Sequence, residues 1–505
     1  MPYVRCFWEY AKIPVGFFLV LTTILFAHTD VPADSVVFGK ITINSDRVIH
    51  GRTNQIQEDF AGQAITQQSI DNLTSRLLRL PMQHGYYFPV LQLVNVLPCR
   101  ANNYTALNPV FRLEWGDITT IDTIIFQNVR KTRPQVLNRM IKEYLGKRYT
   151  PAVDEQINRS LNRFTFIRIE QEKEIVKTRE GKTALLCNLR ELRENEFGGI
   201  VGYIPETINQ KGYFTGELDL KFHNLSGTGR QLALYWSKTS RYSQEIRVNY
   251  FEPWIWKSNM FGETGFEQIL RDTLVVIRKF NIGTGFYSLK WGSIQFLINR
   301  ESSLPTPGGR NLLSLVTTTT NALGLKYKID RRNNFYNPTG GVLFQAALNT
   351  GLQQRESIEN KMQSEFLFDT EVYLPVKAYW VFASSYHFKG KWLIHGAPRY
   401  SDQYWFGGAG SLRGYSNDFF QGSQIAWAAL EIRRLIGNLS SFFIFYDQGY
   451  YRQAGYNANM PDYPHSFGVG IRLASRIGII GLDYGFGRGD TFSTAKIHIR
   501  LINRF

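Results

Sequence analysis

The stretch TAKIHIRLINRF, residues 494–505, alternates strictly. Ile497, Ile499, Leu501 and Phe505 fall on one side of an extended strand, and Lys496, His498 and Arg500 on the other. Successive side chains of a strand point to opposite faces, so such a pattern separates two environments. Two upstream stretches obey the same rule. In HSFGVGIRLA (465–474) Phe467, Val469, Ile471 and Leu473 oppose Ser466, Gly468, Gly470 and Arg472. In GIIGLDYGFG (478–487) Ile480, Leu482, Tyr484 and Phe486 oppose Gly481, Asp483 and Gly485.

In a soluble sandwich the apolar face would form the core. Two features point elsewhere. The polar face carries many glycines beside its charges, as a crowded aqueous interior would. Strand after strand, separated by Gly, Asn, Asp, Pro and Ser clusters, also continues from about residue 195 to 505. A membrane offers no water to backbone N–H and C=O groups, so a sheet that spans it must close on itself, apolar side out. Eleven strand candidates precede a glycine-rich stretch at 404–422 and five follow it, sixteen in all. One strand with its connection then averages about 19 residues, which suits membrane strands of roughly 9–11 residues plus loops.

Composition agrees. Aromatics make up 14% of the 505 residues and glycines number 43. The net charge of +16 comes from dispersed Lys and Arg with no long basic block, so nucleic acid is not expected as a partner. Near the N-terminus, Arg5 and Lys12 precede IPVGFFLVLTTILFA (13–27), the layout of a secretory signal over residues 1–27. Cys99 and Cys187 lie downstream of it with no CxxC spacing, open either to a disulfide or to two free thiols.

Residues 28–194 have a different rhythm. After the strand TIDTIIF, Val136, Met140 and Tyr144 recur at helical spacing up to Gly146. Thr150 and Pro151 open a second helix with Val153, Ile157 and Leu161 on one face. The strands FIRIEQEKEIV and TALLCNLRE follow around a turn at Arg179–Lys182. The order β-α-α-β-β defines one module over 117–194. A divergent copy over 28–116 has the strand VVFGKITI, a helix with Ile70, Leu73, Leu77 and Leu80, and the strands FPVLQLVNV and NPVFRLEW.

Within YWFGGAGSLRGYSNDFFQG (404–422), Arg413 is a lone cation among glycines and aromatics. Downstream, outward placement of Ala426, Ala428, Leu430 and Ile432 turns Glu431 inward, and outward Phe442, Ile444 and Tyr446 do the same for Asp447. The glycine stretch fits neither G-x-G-x-x-G nor a P-loop nor G-x-S-x-G. The eight histidines form no HExxH motif or Cys/His cluster. No enzyme, cofactor or metal is expected.

Six motifs in order carry a family resemblance: FHNLSGTGRQLAL (222–234), YFEPWIW (250–256), YKIDRRNNFYNPTGG (327–341), GGAGSLRGY (407–415), ALEIRR with FIFYDQG (429–434, 443–449), and a final strand ending on Phe505. The chain resembles the outer-membrane insertase and two-partner secretion transporter superfamily, the relatives of BamA and TamA. The resemblance implies α+β POTRA modules in the periplasm, followed by a sixteen-stranded antiparallel transmembrane barrel over 195–505 in the outer membrane of a Gram-negative bacterium. It implies that the loop folds into the lumen and that Arg413, with Gly414 and Tyr415, latches onto Glu431 and Asp447. Gly227 and Gly229, Asp330 and Arg332, and Pro338 and Gly341 are its structural motif positions. A lateral seam is expected between Phe197, Gly198 and Gly199 of the first strand and Ile497, Ile499, Leu501 and Phe505 of the last. Unfolded outer-membrane or secreted proteins are the implied clients, with outer-membrane lipid and accessory lipoproteins as further partners. The resemblance suits an insertase that works through this seam. An exporter that threads an extended exoprotein through the pore is the alternative, favoured by two modules rather than five. A passive porin is disfavoured by the modules and the inward loop.

Overall fold

The computed structural model describes residues 36–504, apart from short segments at 48–51, 102–103, 163, 165, 172, 193–194, 205–212, 239, 257, 289–290, 335–336, 357, 395, 438, 454–460 and 476–477. The signal expected at 1–27 and Phe505 lie outside the described residues. Two compact units divide between Glu191 and Leu192.

The first unit holds both modules. The first comprises β1 (Val36–Phe38), β2 (Thr42–Ser45), α1 (Arg52–Phe60), α2 (Gln67–Gln83), β3 (Val90–Ala101) and β4 (Tyr104–Glu114). Strand β4 is central: β1 and β2 run parallel to it and β3 antiparallel. The single strand expected from VVFGKITI is interrupted, because Asn108 of β4 accepts a hydrogen bond from the Lys40 backbone at 2.6 Å. Helix α1 was not legible in the sequence. Among the residues of RTNQIQEDF whose burial is described (54–60), Ile56 and Phe60 are buried, one i, i+4 pair. Helix α2 buries Leu73, Leu77 and Leu80, and Thr66 caps it by accepting from the Ser69 N–H at 3.1 Å.

The second module contains β5 (Thr123–Gln127), α3 (Pro134–Ile141), α4 (Pro151–Asn162), β6 (Ile167–Ile169), β7 (Glu174–Lys177) and β8 (Thr183–Glu191). Val136, Met140, Tyr144, Ile157 and Leu161 are buried, and Val153 is half-buried. The expected strand FIRIEQEKEIV bends between β6 and β7. There Lys173, only 4% exposed at its side chain, meets Asp154 of α4 at 3.0 Å. An unpaired lysine in that place would be costly, so the bend and the ion pair depend on each other. The modules join closely: Thr119 donates its N–H to the Gly85 carbonyl at 2.9 Å, and the Tyr87 and Tyr149 rings lie 4.7 Å apart. Cys99 and Cys187 are free thiols, the first exposed and the second buried. Desolvation pushes the Cys187 thiol up to about 12.

The second unit is a closed antiparallel barrel of sixteen strands. Its first eight are β9 (Glu196–Ile204), β10 (Tyr213–Leu225), β11 (Arg230–Lys238), β12 (Gln244–Glu252), β13 (Met260–Arg271), β14 (Val275–Ser288), β15 (Gly292–Pro305) and β16 (Thr318–Asp330). A short helix, α5 (Pro307–Leu313), precedes β16. Strands β17 (Gly341–Arg355), β18 (Ile358–Lys377) and β19 (Trp380–Leu393) lead into the glycine-rich loop. That loop contains a small hairpin, β20 (Tyr404–Phe406) with β21 (Phe420–Gly422). The barrel resumes with β22 (Gln424–Leu435), β23 (Ser441–Arg452), β24 (His465–Ser475), β25 (Gly478–Phe486) and β26 (Lys496–Arg504). Eleven strands precede the loop and five follow it, as the alternation predicts. We call the end where β9 begins proximal and the other distal.

Burial is inverted relative to a soluble sheet. Ile497 and Ile499 are each 62% exposed and Phe467 54%, whereas Asp447 is fully buried and Asp483 3% exposed. With a lipid surround, that apolar outer face is the solvated one. No described helix is long and apolar enough to cross a membrane. Alternation reads poorly between 257 and 312 because β15 runs past its apolar band. Ile294, Phe296 and Ile298 point outward, and farther along so do Arg300 and Ser302.

Glu191, the last residue of β8, accepts backbone N–H bonds from Arg130 (2.9 Å), Lys131 (2.9 Å) and Thr132 (2.6 Å) ahead of α3. Burial alone would raise its pKa; the three donors outweigh burial and hold the carboxyl below its ordinary range. A depressed carboxyl contributes stability that is present above the unfolded value of about 4.3 and is lost as pH falls through the folded value. Glu191→Gln should therefore lower the urea midpoint of residues 36–191 at pH 7 and leave it nearly unchanged below pH 3. Circular dichroism would check both arms; an equal loss at both pH values would contradict the charge-based account.

Candidate functional site: the lumen loop and the seam

The loop enters the barrel from the distal end, and Arg413 sits 5% exposed inside it. Its guanidinium makes a two-pronged contact with Asp447: Nε to Oδ2 at 2.9 Å and Nη2 to Oδ1 at 2.6 Å. The backbone N–H of Arg413 donates to the same Oδ2 at 3.0 Å, and Nη1 donates to Glu431 Oε1 at 2.6 Å. The fork geometry of arginine matches a carboxylate in this way, and a lysine could not reproduce it. The cation also lies 3.7 Å from the Phe445 ring centroid. Strand parity brought Glu431 and Asp447 inward, and the structure joins both to Arg413. Arg433, which the sequence reading did not single out, holds the other Glu431 oxygen at 2.6 Å.

The inward glycines explain how the loop lies so close to the wall. A Cβ on Gly485 would fall 2.7 Å from the Gly414 nitrogen, and one on Gly449 2.7 Å from Leu412. Gly414 itself has φ +107°, a region costly for any other residue. Tyr415 closes the contact: its hydroxyl donates to the His465 carbonyl at 3.0 Å and accepts from the Arg488 N–H at 3.0 Å. Leu412 is fully buried with Phe406, Phe420 and Ile425. Glycine at alternate wall positions was visible in the sequence as a crowded interior, but not as a bed for this segment.

The opposite wall holds the loop as well. Arg271 of β13 pairs with Asp418 and lies 4.8 Å from the Trp405 ring, Tyr404 donates its hydroxyl to Glu365, and Gln353 donates to Asp402 at 2.9 Å. No sequence motif marks these partners. The loop thus braces the lumen from β13–β18 across to β22–β25. On its proximal side lies a cavity of about 350 Å³, lined by arginines including Arg332, Arg413, Arg472 and Arg500.

The remaining motif positions are structural. Gly227 (φ 72°) and Gly229 (φ 76°) form the β10–β11 turn, where Asn224 accepts from the Gly229 N–H at 2.7 Å. Arg332 bridges Asp330 (2.7 Å) and Glu371 (2.9 Å) at the proximal rim. Pro338 lines the cavity, and Gly341 has φ +109°.

The barrel closes unevenly. Strands β14 and β15 pair along their whole length, from Val275↔Pro305 to Ser288↔Gly292. Among the described residues, strands β26 and β9 pair only at Asn503↔Phe197 and Arg504↔Glu196, at the proximal end. Gly198 sits close to the Leu501 carbonyl, an ideal Cβ falling 3.4 Å from it, without joining the ladder. Gly199 pairs only with Leu218 on the β10 side. Ile497, Ile499 and Leu501 belong to the stretch of β26 that has no partner in β9.

Removing one member of a buried ion pair costs about 3–5 kcal/mol because a charge is stranded. Arg413→Ala should therefore undock the loop while the barrel persists, and Arg413→Lys should recover little. Gly485→Val should undock it with every charge intact. Protease cleavage within 404–422 of the folded barrel would report undocking. A loop that stays resistant in both Arg413→Ala and Gly485→Val would rule out the latch.

A model of the Omp85 superfamily domain matches residues 224–505. No curated protein matches the chain in sequence. Among solved structures, BamA from Haemophilus ducreyi lacking POTRA domains 1–3 aligns with a TM-score of 0.60 at 15% identity, covering 93% of this chain and 100% of that one. CdiB from Escherichia coli aligns at 0.54 and 12% identity, covering 95% and 92%. CdiB from Acinetobacter baumannii aligns at 0.50 and 13%, covering 96% and 97%. At such identities the structural likeness shows the fold; the domain match, which spans more than half of the residues, shows the family, and the chain belongs to the Omp85 superfamily.

Proposed function

We propose that this protein inserts or assembles β-barrel proteins in the outer membrane of a Gram-negative bacterium, with its α/β modules in the periplasm. The observation that carries the reading is the β26–β9 seam. Nine-residue strands face each other there and share two residue pairs. The rest of both edges keeps unpaired N–H and C=O groups, a template for a further strand. A client strand can add at that edge and exchange one set of backbone hydrogen bonds for another. The loop that braces both lumen walls supports lateral rather than axial traffic. A second reading, export of one extended protein through the pore, draws support from the presence of two modules; it requires the loop to leave both walls.

Two measurements test the proposal. A disulfide between Gly198→Cys and Leu501→Cys should abolish function under oxidising conditions and restore it on reduction. Depletion of the protein, followed by proteomics of outer-membrane and secreted fractions, should remove several unrelated barrel proteins. Loss of one large secreted protein with the barrels intact would favour the exporter instead.

A further inference from the structure

The seam is electrically lopsided. On its β9 side, the carboxylates have a lysine of their own: Lys221 lies 3.1 Å from both Glu196 and Asp219. On its β26 side, Lys496, His498 and Arg500 share the lumen face, since Ile497 and Ile499 between them point outward. Their neighbours across the β25 ladder are Gly485, Asp483 and Gly481 respectively. Two of those three are glycines and supply no charge. The third, Asp483, is held by both terminal nitrogens of Arg472, at 2.6 and 2.9 Å.

The cations of β26 therefore settle for backbone oxygens. Lys496 donates to the Thr494 carbonyl at 2.8 Å, and Arg500 to the Ala409 carbonyl of the lumen loop at 3.2 Å. Their contacts are these carbonyls. Asp483 and Glu217 are the acidic groups nearest in effect to Arg500 but form no ion pair with it among the described residues, and the Nε2 of His498 is buried without a hydrogen-bond partner. Arg500 is exposed and lines the cavity under the loop. All three residues lie on the part of β26 that β9 leaves unpaired.

We infer that the lumen face of β26 is a specificity site for an incoming β-strand, selecting strands that carry Asp or Glu on their lumen-facing side. The inference rests on the seam reading above. A strand hydrogen-bonded to this edge sets its alternate side chains directly opposite or diagonal to Lys496, His498 and Arg500, where opposite charges attract and like charges repel. The two unneutralised cations are four residues apart, roughly 14 Å along a strand, so the match calls for acidic residues repeated along one face rather than a single anion. A free phosphate or a lipid headgroup meets one cation and leaves the backbone edge empty. An extended acidic segment satisfies both.

The test uses the full-length protein in detergent and three synthetic ten-residue strands. Each has Leu, Val and Phe at alternate positions, a central photo-crosslinker, and Asp, Ser or Lys at the remaining positions. Adducts on residues 494–504 are quantified by mass spectrometry. Native protein should capture the Asp strand about tenfold more than the Lys strand, with Ser between, as several cross-strand charge pairs together would give. Lys496→Gln with Arg500→Gln should flatten the series, and Lys496→Glu with Arg500→Glu should invert it. Equal capture of all three strands by native protein overturns the charge selection and leaves docking at the seam standing. No adduct on β26 with any strand overturns both.

Discussion

Everything in the second unit follows from one constraint: in hydrocarbon, each backbone N–H and C=O needs a partner from the protein itself. A sheet meets that demand only by closing, and closing sorts the side chains. Apolar ones face the lipid, and the polar ones share a lumen narrow enough that glycine is needed wherever a second layer of chain must fit. The loop fills that lumen because Gly449 and Gly485 leave room for it, and Arg413 can be buried there only because Asp447 and Glu431 already point inward. The seam, where β26 and β9 share two residue pairs, is the place where the constraint is met least well.

Much of this could be read from the residues. A period of two with one apolar face, repeated over some three hundred residues, leaves few folds available, and the same parity that sets lipid-facing residues on β22 and β23 turned Glu431 and Asp447 inward. The helices of the second module were legible from Val136, Met140, Ile157 and Leu161 because they bury a full stripe. Helix α1 was not, because among its described side chains the buried ones are Ile56 and Phe60, a single pair rather than a stripe. Partners such as Arg271 with Asp418 are joined across a lumen, 147 positions apart, and no local period encodes a contact of that kind. The bend that admits Lys173 is hidden for a related reason: a charged residue inside a strand pattern signals solvent unless its partner is known.

The lumen holds buried charge in quantity, yet it is organised as matched sets. Lys391 lies 2.8 Å from Glu301, Arg472 2.6 Å from Asp483, and Arg433 shares Glu431 with Arg413. Such pairs add little net stability compared with apolar packing of the same volume, but each is costly to break by halves. Their value here is positional. They fix which wall the loop touches.

The latch also has a temporal meaning. Arg413 is made before either of its carboxylates, since Glu431 and Asp447 belong to the two strands that follow the loop. Until those strands are in the sheet, the guanidinium has no site to occupy, and a tethered cation in a half-built barrel stays in water. Docking of this segment is therefore a late event in the biogenesis of the protein itself. It comes after the strands downstream of it have been added, so an occupied latch certifies that the wall behind it has been completed.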